Sequence, residues 1–181
     1  MKTLIPLANG VEEMEAVIVA DVLRRAGWPV TLAAVDPPPI TAARGVRLLA
    51  DASWEDIDPN AFDLLVLPGG AGGARRLSVH PGVQAAIRAF AAAEKWLAAI
   101  CAGPLALQAA GALDGKQATC HPACAAALTA GPRRPERVVR DGNLITSQGP
   151  GTAFEFALAL VAAGDGPAAA KRLAGEMVVS C

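Results

Sequence analysis

Trp96-Leu97-Ala98-Ala99-Ile100-Cys101-Ala102-Gly103-Pro104-Leu105-Ala106-Leu107 is the stretch that decides the fold. Trp96 to Ile100 is an unbroken apolar run, which predicts a short strand covered on both faces. Gly103 breaks the run, and Pro104 suits the first position of a helix. Cys101 therefore falls on a strand-to-helix turn, the setting that exposes a nucleophile at the edge of a parallel sheet. A helix N-terminus within about one turn of the sulfur stabilises a thiolate and predicts a lowered thiol pKa. A free cysteine is also a common core residue, and the turn is what favours the reactive reading. Trp96 to Leu113 has only Gln108 as a polar residue over 18 positions, the length of a membrane span. Gly103-Pro104 interrupts it, so a buried strand entering a buried helix is the better reading.

Working outward, the same alternation recurs. Lys2–Leu7, Val30–Val35 and Leu64–Leu67 read as strands. Glu12–Ala26 reads as a helix stopped by Gly27, and Pro81–Glu94, Thr152–Ala163 and Pro167–Glu176 as further helices. Gly45–Leu49 fits a small flanking hairpin, and Arg137–Val139 pairs with Leu144–Thr146 around Asp141-Gly142. Pro37-Pro38-Pro39 is a stiff loop, and Gly69-Gly70-Ala71-Gly72-Gly73 a glycine loop after a strand. The expected architecture is α/β: a mostly parallel sheet with helices on both faces, in one domain over 1–181.

Composition excludes several classes. Sixteen Lys and Arg oppose 17 Asp and Glu, for a net charge of −1. There is no basic field for nucleic acid or an acidic membrane. The N-terminus lacks a signal-peptide pattern, and four irregularly spaced cysteines read as reduced thiols, so a cytoplasmic location is expected. Cys120, His121 and Cys124 form one local cluster without a second Cys or His pair, which does not make a zinc site. The glycine run lacks both the phosphate-loop lysine and the dinucleotide spacing, so no cofactor is expected. Cys181 reads as an exposed terminal thiol and His80 as a helix cap.

Three further features carry chemistry. On a wheel of the first helix, Glu15 falls among Val11, Met14, Ile18, Val19, Val22 and Ala26, with Glu12 and Glu13 on polar sides. An inward carboxyl has a raised pKa and can shuttle a proton; a first-turn glutamate also simply complements the helix dipole. Asp21 and Arg25, four apart, read as a surface ion pair. His121, before Pro122, can act as acid or base near Cys101 or serve a structural role. The N–H groups of Gly70 and Ala102 are candidates for an oxyanion hole.

Gly10–Glu15, Asp21–Gly27, Leu67–Gly70, Ala99–Pro104 and Thr146–Thr152, in that order, resemble the DJ-one/ThiJ/PfpI superfamily, its DJ-one branch above all. The resemblance implies a flavodoxin-like, Rossmann-like sandwich and a homodimer. It pairs Cys101 with a protonated Glu15, and assigns Gly70, His121, Gly149 and Pro150 to the site. Arg44 is expected to reach the site from a partner subunit. The implied activities are a glutathione-independent glyoxalase or a deglycase acting on small 2-oxoaldehydes and on glycated protein or nucleotide. The alternatives are a redox-sensing chaperone reporting through oxidation of Cys101, and a cysteine peptidase. Ala102, where the peptidase-like branch has histidine, argues against the last. Gln148 replaces an arginine of the human-like pattern, which weakens anion binding there. The chain also ends before the extra C-terminal helix of the animal members, so a more open dimer surface is expected.

Overall fold

The computed structural model describes residues 1–179; the expectation for Cys181 lies outside the described residues. The strands are β1 (Thr3–Leu7), β2 (Val30–Ala34), β3 (Ile40–Thr41), β4 (Arg47–Leu48), β5 (Ala52–Ser53), β6 (Leu64–Leu67), β7 (Trp96–Ile100), β8 (Val138–Asp141) and β9 (Leu144–Ser147). The helices are α1 (Glu13–Arg25), α2 (Ala71–Val79), α3 (Pro81–Ala92), α4 (Pro104–Ala109), α5 (Ala153–Asp165) and α6 (Pro167–Glu176). The main sheet runs β5-β2-β1-β6-β7-β9-β8, parallel except where β8 meets β9, while β3 and β4 form the small hairpin. This is the flavodoxin-like α/β arrangement.

Strand periodicity builds two cores, one on each face. Ile5, Leu7, Val66, Ala98 and Ile100 point to the side of α1 and α5, where Phe156 is fully buried. Leu4, Leu65, Leu67, Leu97 and Ala99 point to the side of α3, against Phe90 and Ile87. Strands covered twice cannot alternate polar and apolar residues, which is why they read as continuous apolar runs. Among the described residues, no helix is long and apolar enough to cross a membrane.

Strand order reverses between β1 and β6: the chain leaves β1 for β2 on one side and later returns to β6 on the other. Crevices in such sheets open beyond the carboxyl ends of the strands at this point. Here β1 leads to Glu15, β6 to Gly69-Gly70 and neighbouring β7 to Cys101.

Two local expectations are corrected. The glycine run is not a loop: α2 starts at Ala71, with Gly72 and Gly73 inside it. A Cβ on Gly73 would come within 2.8 Å of Val11 Cα and N, so close approach to the β1–α1 loop outweighs the poor helix propensity of glycine. On α1, Met14 is 51% exposed while Glu12 and Glu13 are each 8% exposed. The buried stripe is rotated towards the crevice, where Glu13 finds compensation. Its two carboxylate oxygens accept the Arg44 N–H at 3.0 and 3.2 Å.

Candidate active site

Cys101 has φ +63°, a conformation that L residues seldom adopt. Its N–H donates to the Ser147 carbonyl at 3.0 Å, and its own carbonyl accepts the His121 N–H at 2.9 Å. Bonds to β9 and to the His121 segment therefore hold the strained turn between them. Gly103 completes it: a Cβ there would lie 2.3 Å from the Leu67 carbonyl oxygen.

Glu15 is fully buried on the first turn of α1. Its Oε2 accepts the Gly69 N–H at 2.7 Å, and the carboxyl also hydrogen-bonds the Cys101 thiol. Burial, reinforced by Glu12, raises its pKa to about 7 against the pull of the Gly69 N–H and the thiol. For Cys101, burial and then the Glu15 charge push the thiol up to about 12, although the Gly70 and Ala102 N–H groups bond the sulfur and lower it. This reverses the expected helix effect: α4 opens only at Pro104, and desolvation beside a carboxylate wins. The two groups share one proton and titrate as a unit. Above neutral pH that proton rests on sulfur, and Glu15 is placed to take it as the sulfur attacks.

Gly69 is a site residue that the sequence reading missed. A Cβ there would lie 2.5 Å from Cys101 Cβ, 2.7 Å from Glu15 Oε2 and 3.0 Å from Ala102 N. Only the doubled Pro-Gly-Gly turn hinted at it. Gly69→Ala is expected to destabilise the fold by about 1–3 kcal/mol through overpacking and to cut turnover by about 10²-fold by displacing the reacting pair. Thermal unfolding with steady-state kinetics checks both; turnover near wild type would contradict the packing.

A cavity of about 500 Å³ opens over the sulfur. Gly70, Ala102, His121 and Pro150 line it with Cys101. Gly149 lies in an adjoining groove with His121 and Pro150. Arg44 borders the cavity of its own chain, so no partner subunit is needed to deliver it. His121 is brought to the cavity but not to the thiol: its Nδ1 accepts the Ala123 N–H at 3.2 Å and caps the following turn. Gln148 is turned away, donating to the Pro135 and Glu136 carbonyls at 2.7 and 2.9 Å. Ser147 and Thr152 Oγ atoms, 2.6 Å apart, brace the Gly149-Pro150 loop from beneath. Glu12 and Cys124 also line the cavity, and neither was singled out from sequence as part of this site. As expected, Asp21 and Arg25 form a surface pair at 2.6 Å, and His80 Nδ1 caps α3 by accepting the Val83 N–H at 3.2 Å.

The sequence profile of the DJ-1/PfpI family matches residues 1–163. The chain belongs to this family. It is 35% identical over 173 residues to the glutathione-independent glyoxalase DJ-1 of Schizosaccharomyces pombe, spanning 89% of this chain and 90% of that protein. It is 45% identical over 160 residues to DJ-1 homolog B of Arabidopsis thaliana, a match of 87% of this chain and only 36% of that longer protein. The crystal structure of Drosophila melanogaster DJ-1beta superposes with a TM-score of 0.95 at 38% identity, covering 100% of both chains.

Proposed function

We propose that the protein is a glutathione-independent glyoxalase that converts methylglyoxal and related 2-oxoaldehydes to hydroxy acids, and that it also acts on their adducts. The observation that carries this reading is the buried Glu15–Cys101 pair, one shared proton beneath an open cavity. The printed name of the fission-yeast relative supports it. The Cys101 sulfur adds to the aldehyde carbon while Glu15 takes the thiol proton and passes it to the new alkoxide. Glu15 then moves the proton from C1 to C2, through an enediol, to give a lactoyl thioester. Water cleaves the thioester, restoring the thiol and releasing lactate, with no external oxidant or reductant. Gly70 and Ala102 N–H groups stabilise negative charge at the reacting centre. Arg44 at the cavity edge attracts anionic groups on larger substrates, and His121 Nε2 serves as a secondary proton carrier. The half-exposed Met14 and Val17 on α1, 51% and 48% exposed, offer an apolar face for a second copy, which fits a cytoplasmic homodimer.

Incubation with methylglyoxal in the absence of glutathione tests the reading. Stoichiometric lactate is the expected product. Loss of methylglyoxal without lactate, accompanied by a stable mass increase on the protein, would mean that the thiol is only a trap.

A further inference from the structure

Three glutamates crowd the start of α1, and two of them are accounted for. Glu13 accepts the Arg44 N–H and Glu15 the Gly69 N–H. Glu12 is different. It is only 8% exposed and lines the cavity with Cys101 and Gly70. Its backbone N–H is used, donating to the Gly69 carbonyl at 3.1 Å, but among the described residues its carboxylate has no hydrogen bond and no ion pair. Arg44 borders the same cavity without pairing with it. A desolvated carboxylate without a partner is costly, and a cation entering the cavity removes that cost.

We infer that Glu12 makes the cavity selective for dicarbonyl adducts carried on a guanidinium group, over the free dicarbonyl; this rests on the glyoxalase reading above. A guanidinium keeps its charge at neutral pH after taking up an aldehyde, whereas an alkylamine loses much of its basicity. Its paired N–H groups also match the two oxygens of a carboxylate. With the guanidinium held by Glu12, the carbinol carbon is presented to Cys101. A C–S bond forms at that carbon as its C–N bond breaks. The thiol proton travels by way of Glu15 to the departing nitrogen, so a guanidinium leaves and a hemithioacetal remains on Cys101. The charge is the same before and after, and nothing is oxidised or reduced.

Methylguanidine and its methylglyoxal adduct are the probes, used on wild type and Glu12→Gln. The ratio of kcat/KM on the adduct to kcat/KM on free methylglyoxal is expected to fall about tenfold in Glu12→Gln, the loss of one charge-assisted contact. Adduct dissociation supplies free methylglyoxal equally to both proteins, so it cannot produce such a change. Calorimetry measures methylguanidinium binding without turnover, and Kd is expected to rise about tenfold in the variant. An equal loss on both substrates, or an unchanged Kd, overturns the role of Glu12. Absence of methylglyoxal turnover by wild type would sink the glyoxalase reading instead, and the calorimetric comparison would still decide Glu12.

Discussion

Cys101→Ser is expected to reduce methylglyoxal kcat/KM by about 10³-fold or more, as removal of a nucleophile does in other covalent enzymes. The cause is intrinsic reactivity, because the serine hydroxyl is a far weaker nucleophile whose proton is harder to remove. Even with Glu15 ionised beside it, little alkoxide character develops. The backbone bonds from Cys101 to Ser147 and from His121 to Cys101 do not involve the side chain and survive the change. The φ of +63° is equally unfavourable for serine, so the strained turn is retained. Thermal unfolding should therefore stay within a few degrees of wild type while lactate production collapses. Retention of more than a tenth of the wild-type rate would mean that the thiol is not the attacking group.

Cys101 also shows how far sequence carries the site. Gly103-Pro104 after an apolar run was enough to place it on a turn, because proline and glycine restrict backbone geometry locally. Glu15 pointed inward by periodicity alone, since one polar residue on an apolar stripe is visible without tertiary structure. The same wheel misplaced Met14 and Glu13, because it assumes that burial follows hydrophobicity. On α1 burial instead follows the crevice, and the Arg44 N–H compensates Glu13. The helical glycines of α2 were unreadable for a related reason: the contact that requires Gly73, with Val11, spans sixty residues. The thiol pKa was misjudged in direction, since a sequence shows the nearby helix start but not the depth of burial or the carboxylate against the sulfur. Glu12 was read as a solvated charge for want of the same depth.

Glu15→Gln separates activity from stability at one position, and the two are expected to move in opposite directions. The amide keeps the shape of the carboxyl and can still accept the Gly69 N–H. It cannot take the thiol proton, so turnover should fall by about 10²- to 10⁴-fold, the usual worth of general acid–base catalysis. In wild type, the ionised carboxylate is the competent base, so kcat/KM should climb as pH rises through about 7 and then level off. That inflection should be absent from the variant. Stability runs the other way. The folded pKa of Glu15 is raised from 4.5 to about 7, so the native state holds a proton that the unfolded chain releases. The associated stability is complete below pH 4.5, declines between 4.5 and 7, and is gone above 7. Its size is about 3 kcal/mol, from roughly 1.4 kcal/mol for each unit of pKa. Glutamine never ionises and avoids that loss. At pH 8 Glu15→Gln should therefore unfold at higher denaturant than wild type, with little difference at pH 4.5. A variant less stable than wild type at pH 8 would show that the carboxylate is not strained by burial. A wild-type pH profile flat from 6 to 8 would remove Glu15 from the proton path.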